Sequence, residues 1–184
     1  MTRISLIFEL GKHEEKFSFS QEQFLILAAN SLKQTINSNE FKKSVLTYKF
    51  KNKLGFNKYY FRMNKGFSRR EILEFILSGK DKYEDSKDFT INFVLCPYVK
   101  ELKYHAYTSS KIKEIYINTV YLDYCMNIED KVRGISKIAS TLIHEYTHNL
   151  GFDHKTNKPS DYNNTTVPYA IGKMTKKIIK KNQN

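Results

Sequence analysis

His144, Glu145 and His148 stand in the run His144-Glu145-Tyr146-Thr147-His148, two imidazoles and a carboxylate at a spacing that a helix makes useful. Residues four apart on a helix lie one turn above each other on the same face, so both rings can hold one ion. Glu145 is rotated off that face. It is poorly placed to ligate but well placed to reach a water held by the metal, which is the position of a general base. Gly151 falls where the helix should end, and glycine enters a left-handed C-terminal turn without a Cβ penalty. The chain then swings back, and His154, three residues on, is placed to supply a third nitrogen. Three protein ligands with one tetrahedral position open is the arrangement of a catalytic zinc, whereas a structural zinc closes its shell with four ligands, mostly thiolates. The expected cofactor is one catalytic Zn²⁺ on His144, His148 and His154.

The element that must position these residues is a helix anchored along one apolar stripe. Val132, Ile135, Ile138, Ala139, Leu142, Ile143 and Tyr146 follow helical spacing up to the motif. Asn127 is the expected N-cap, with Glu129 and Asp130 in the positive first turn. Before it, Glu114 to Val120 alternates as a half-exposed strand, and Phe89 to Cys96 is apolar enough for a buried strand that Pro97 ends. Residues 4 to 10 read as a strand, with Gly11-Lys12 turning into a second strand that carries Phe17 and Phe19. Ser20 is read as the cap of a helix through Phe24, Leu27, Ala28, Leu32 and Ile36, closed by Asn37-Ser38-Asn39. Val45 to Phe61 suggests strand-like pieces around Gly55. Ser68-Arg69-Arg70-Glu71 is a capping box for a helix that stops at Gly79, and Lys80 to Asp88 is a charged loop. Pro168 opens a short basic C-terminal helix.

The eleven residues from His144 to His154 resemble the long H-E-x-x-H-x-x-G-x-x-H signature of the metzincin metallopeptidases, matched by His144, Glu145, His148, Gly151 and His154. The resemblance implies an α+β fold in which a mixed twisted sheet carries a backing helix and an active-site helix. It also implies a single domain over residues 1–184, with an upper lobe to about residue 151 and a small lower lobe from about 152. It makes the three histidines zinc ligands and Glu145 the catalytic base of a zinc endopeptidase acting on peptide or protein substrates. A methionine turn lies beneath the metal in that family, and Met174 is the only methionine after the motif. Some members place a tyrosine near that turn as an oxyanion donor, which makes Tyr169, with Tyr162, a candidate. The resemblance further implies that the strand before the helix, Ile115, Tyr116, Ile117, Asn118, Thr119 and Val120, is the sheet edge that receives substrate as an added antiparallel strand. An interior strand is the alternative reading of the same stretch.

A chain of 184 residues with 40% hydrophobic content fits one globular domain with a sizeable core. No apolar run reaches the length of a membrane span, and the N-terminus shows no secretory signal, so a soluble protein, as a monomer, is expected. Cys96 and Cys125 offer no disulfide framework and read as free buried thiols. The net charge of +12, from 31 Lys and Arg against 19 Asp and Glu, could attract nucleic acid, but no nucleic-acid-binding motif accompanies it. His13 and His105 lack partners at ligand spacing. Asp153 reads either as a carboxylate that orients a histidine or as a solvent-facing turn residue. The alternative to an enzyme is a catalytically silent zinc-containing binding or effector protein, against which the intact Glu145 argues.

Overall fold

The computed structural model describes residues 1–50, 67–79, 88–108, 113–154 and 163–182. Among these residues the protein is α+β, with six α-helices and a four-stranded mixed sheet. The strands are β1 (Arg3–Phe8), β2 (Thr90–Tyr98), β3 (Ala106–Tyr107) and β4 (Ile115–Asn118). The helices are α1 (Phe19–Asn37), α2 (Asn39–Thr47), α3 (Arg69–Ser78), α4 (Thr119–Met126), α5 (Lys131–Asn149) and α6 (Val167–Lys181).

The sheet runs β1-β2-β4-β3, with β1, β2 and β4 parallel and β3 antiparallel to β4. The expected N-terminal hairpin does not form. β1 pairs with β2 in the register Arg3↔Thr90 to Phe8↔Leu95, and the segment expected to return as a strand instead starts α1. The cap of α1 is Ser18, not Ser20: its hydroxyl accepts from the Gln21 N–H at 3.2 Å, and the Gln21 side chain accepts from the Ser18 N–H at 2.9 Å. This reciprocal pair satisfies two of the N–H groups a helix start leaves open.

Ser38 ends α1 as expected, and its hydroxyl then accepts from the Phe41 N–H at 3.1 Å and starts α2. Phe41 and Val45, four apart, are wholly buried, so the strand expected from Val45 gives way to a helix as far as Thr47. The rest of that expected strand region, from residue 51 on, lies outside the described residues, as do residues 80–87 of the charged loop. The Ser68–Glu71 capping box and the left-handed Gly79 that closes α3 form as expected.

Pro97 lies within β2 instead of ending it. Leu95 offers its carbonyl toward β1, accepting from the Glu9 N–H at 2.9 Å. Peptide groups alternate sides along a strand, so Pro97, two residues on, points its missing N–H to the same side, beyond the end of β1 at Phe8. No ladder bond is lost.

β4 is shorter than expected, because Asn118 caps a helix and Thr119 and Val120 belong to α4. Asn118 is fully buried. Its Oδ1 accepts from Lys100 N–H at 3.1 Å and Val120 N–H at 3.2 Å, and its Nδ2 donates toward the carbonyls of Lys100, Glu101 and Tyr104. One side chain thus ties the loop after β2 to the end of β4 and the start of α4. Asn118→Ala leaves several of these groups without partners, and we expect it to destabilise the fold by about 3 kcal/mol. Thermal unfolding should shift down by roughly 6–12 °C; an unchanged midpoint would mean that the loop is held by other contacts.

α1, α5 and α6 share one core with the inward face of the sheet, in which Leu25, Leu32, Ile91, Phe93, Ile138, Leu142, Val167 and Ile171 are buried. The C-terminal helix therefore packs into the same core as the rest of the chain. Cys96 and Cys125 are free and buried, and burial pushes the Cys96 thiol up to about 11, which keeps it protonated. Among the described residues no helix is long and apolar enough to cross a membrane.

Candidate metal centre

α5 is capped by Asp130, which accepts from the Arg133 N–H at 3.0 Å; Asn127, the expected cap, instead ends α4. The apolar stripe is real over Ile138, Ala139, Leu142, Ile143 and Tyr146, all buried. It fixes the roll of α5 about its axis, and the roll fixes where His144 and His148 emerge.

The helix closes as its glycine predicts. Gly151 has φ +89°, its N–H donates to His148 C=O at 2.9 Å, and Phe152 N–H donates to Thr147 C=O at 3.0 Å. These are the two bonds of a glycine-terminated helix end, and buried Phe152 anchors the returning chain. His154 is thereby brought back over α5, with its backbone N–H donating to Asp153 Oδ1 at 2.7 Å.

The three imidazoles converge. Their ring centroids lie 5.1 Å (His144–His148), 5.2 Å (His144–His154) and 4.9 Å (His148–His154) apart, and one nitrogen from each falls within 4.8 Å of the other two. His144 Nε2 and His154 Nε2 are 3.2 Å apart. Two nitrogens on one tetrahedral zinc are separated by about 3.3–3.4 Å, given Zn–N of about 2.0–2.1 Å. The donor set and its spacing fit a single metal ion.

Two of the rings are oriented from behind. His148 Nδ1 lies 2.8 Å from the Phe152 carbonyl, which can only accept, so Nδ1 carries the proton and Nε2 keeps its lone pair. The backbone carbonyl of Pro168, at the start of α6, faces the His144 ring and favours its protonated form. Burial, and then the neighbouring His148 and His154, hold His144 well below the usual imidazole range, in the neutral form a metal requires. Asp153 Oδ1 is 3.8 Å from His148 Nδ1, too far for a hydrogen bond, so it serves the turn at His154.

Glu145 is buried beside the triad. Burial pushes its carboxyl up to about 8, and the polar backbone at Thr108 opposes that rise. Tyr169 on α6 stands with its ring centroid 4.8 Å from both His144 and His154. α6 can come this close because of Gly172: a Cβ there would lie 3.0 Å from Ser140 Oγ and 3.7 Å from His144 Cβ.

Other expected site residues fall elsewhere. Met174 lies in the middle of α6, partly buried against the core, and is helical instead of forming a turn; the part of that helix that meets the histidines is its first turn, with Pro168 and Tyr169. Ile115, Tyr116, Ile117 and Asn118 form β4, which is interior between β2 and β3, and Thr119 and Val120 are helical, so this stretch is not the sheet edge. Among the described residues the edge on that side is β3, Ala106–Tyr107. Tyr162 lies outside the described residues. His105 stacks on Tyr121 with ring centroids 3.9 Å apart and is not one of the grouped ligand candidates.

Sequence reasoning missed Thr108, Asn149 and the role of the Pro168 carbonyl. The one local trace is Asn149 itself, a polar residue in the last turn of α5 that is buried. No known protein family, curated protein or solved structure matches the chain.

Proposed function

We propose that this protein is a zinc-dependent endopeptidase of the metzincin type. The reading rests above all on the convergence of His144, His148 and His154, with His144 held neutral, beside the buried carboxyl of Glu145. A zinc ion bound there would polarise a peptide carbonyl and lower the pKa of a bound water toward ~7. Glu145 takes a proton from the attacking water at its carboxylate and returns it to the leaving amine, which is general acid–base chemistry by one group. Tyr169, beside His144 and His154, is the candidate donor to the oxygen that becomes negatively charged.

The substrate strand finds its support on β3 and not on β4. β3 is bonded on one side only among the described residues, and the backbone of Thr108, the next residue, comes near enough to Glu145 to oppose the upward push of burial on its carboxyl. An extended peptide paired along that edge would run past the carboxylate, its backbone held by main-chain bonds that depend little on side-chain identity.

The test combines metal analysis with cleavage of an unstructured protein. One zinc per chain together with chelator-sensitive cleavage is the expected result. Stoichiometric zinc without any cleavage would replace this reading with that of a metal-containing binding protein.

A further inference from the structure

Two helices run antiparallel away from the metal centre, and the stripe that carries His144 continues along both. At the centre, the ring centroid of Tyr169 on α6 lies 4.8 Å from that of His144 on α5. One turn farther, Gly172 meets Ser140: a Cβ on the glycine would lie 3.0 Å from Ser140 Oγ. Residues three or four apart share a helix face, so the next turn sets Lys137 opposite Lys176, and the turn after that sets Arg133 opposite Lys180. Lys137, Lys176 and Lys180 are half-buried at this seam. Lys137 Nζ lies 5.2 Å from the ring centroid of Tyr124 and 5.9 Å from that of Tyr121, which fixes where its charge sits.

Among the described residues nothing neutralises these four charges. Apart from Glu145, neither helix contains an acidic residue. Lys181, next along α6, has Glu40 at 2.8 Å, but no described carboxylate comes within ion-pair distance of Arg133, Lys137, Lys176 or Lys180. Asp130, at the start of α5, accepts from the Arg133 backbone N–H instead. Burial, and then the charges of Lys137, Lys180 and Arg133, hold the Lys176 ammonium below the usual lysine range. Like charges gathered in this way repel one another and cost stability, so the seam is complementary to an anion that the described residues do not supply.

The seam also meets the edge strand. His105, directly before β3, stacks on Tyr121 with ring centroids 3.9 Å apart, and Tyr121 is one of the two rings beside Lys137. A peptide paired along β3 would therefore leave that edge beside Lys137. Along α5, Lys137 is about 10 Å and Arg133 about 16 Å from His144, a span of about three to five residues of extended chain.

We propose that the seam formed by Lys137 and Arg133 on α5 and by Lys176 and Lys180 on α6 binds an acidic stretch of a peptide substrate, a few residues from the bond that is cleaved. The cleavage rests on the proposed endopeptidase function, whereas binding of the acidic stretch is measurable without turnover. Of the two rings beside Lys137 only Tyr124 is exposed, too few for successive bases to stack on, which favours a peptide over a nucleic acid.

The test uses the full zinc-loaded chain carrying Glu145→Ala, so that peptides stay intact. Binding is read by fluorescence anisotropy of labelled peptides that differ only in a run of Glu or of Gln beside a common central segment. The Glu peptide is expected to bind about tenfold or more tightly than the Gln peptide at low salt, and the preference should shrink as salt is added. Lys176→Gln with Lys180→Gln should bring the two peptides within about twofold of each other. Lys173→Gln with Lys177→Gln, the same change of charge at exposed positions of α6, should keep the preference. Arg133→Gln, an exposed seam position, should weaken it from the other helix. Both double variants should melt at or above the wild-type temperature, since each removes repulsion. Equal binding of the Glu and Gln peptides overturns the proposal, as does an equal loss of preference in the two double variants, which would mean net charge alone. A single-stranded oligonucleotide of the same charge that binds more tightly than the Glu peptide, and loses that binding in Lys176→Gln with Lys180→Gln, overturns it in favour of nucleic acid. If the preference for Glu depends on the seam but the wild type cleaves no peptide, the acidic-peptide site stands and the endopeptidase reading falls.

Discussion

Glu145→Ala is expected to lose peptide hydrolysis by roughly 10²–10⁴-fold in kcat, the usual contribution of a positioned general base, while its zinc content stays at the wild-type value. The two effects separate because Glu145 is rotated away from the face on which His144 and His148 converge, and the grouped ligand atoms come from the three histidines alone. Removing a buried carboxyl that prefers its neutral form in the metal-free protein also removes an unfavourable burial, so the variant should fold at least as well as wild type. Glu145→Gln makes a second arm. It keeps the size and polarity of the side chain but has no proton-accepting carboxylate, so it should be as inactive as the alanine variant. Full activity in either variant would remove Glu145 from the mechanism and with it the proposed chemistry.

The second large effect concerns the metal and pH together. Zinc at a thousand times its dissociation constant stabilises the folded state by about 4 kcal/mol, which for a chain of this size raises the unfolding midpoint by roughly 10 °C. His148→Ala should abolish that zinc-dependent rise, since it leaves two ligands. The pH dependence follows from the two buried groups. Glu145 has its folded-state pKa raised from 4.5 to about 8, so its contribution to metal-free stability is fully present below 4.5 and is lost as pH rises through 8. His144 is depressed from 6.5, so its contribution is present above 6.5 and is lost as pH falls below that value. Between pH 6.5 and 8 only the Glu145 loss operates, and metal-free protein should become less stable as pH rises. Bound zinc opposes that loss by favouring the carboxylate beside it and by holding neutral imidazoles. The difference in melting temperature between zinc-loaded and metal-free protein should therefore widen from pH 6.5 to 8. Parallel curves over that range would show that Glu145 does not titrate in the pocket, and no zinc-dependent rise at pH 7 would dispose of the metal site.

How much of this was legible in advance depended on the range of the forces involved. The Ser68–Glu71 capping box, the stop at Gly79, the stop at Gly151 and the i,i+4 histidines act within one or two turns of chain, and each forms as its residues predict. The errors share one origin. Ser18 rather than Ser20 caps α1, and Val45 is helical, because burial of Phe24, Phe41 and Val45 against the common core selects among caps and elements of similar local merit. Pro97 stays in β2 because β1 ends before its missing N–H would be needed, a fact about a neighbouring strand.

For the site the division is similar. The sequence alone determined the grouping of the three histidines, the carboxylate beside them and the turn that returns His154, since those depend on helical periodicity and on the freedom of one glycine. Only the tertiary structure decided that β4 is interior and β3 the edge, that Met174 belongs to a helix, and that Pro168 and Tyr169 stand beside the histidines. It alone brought the Thr108 hydroxyl to Asn149 Oδ1, at 3.1 Å. Strand order and helix docking are set by contacts between residues far apart in the chain, and such contacts leave no periodic trace in the local sequence.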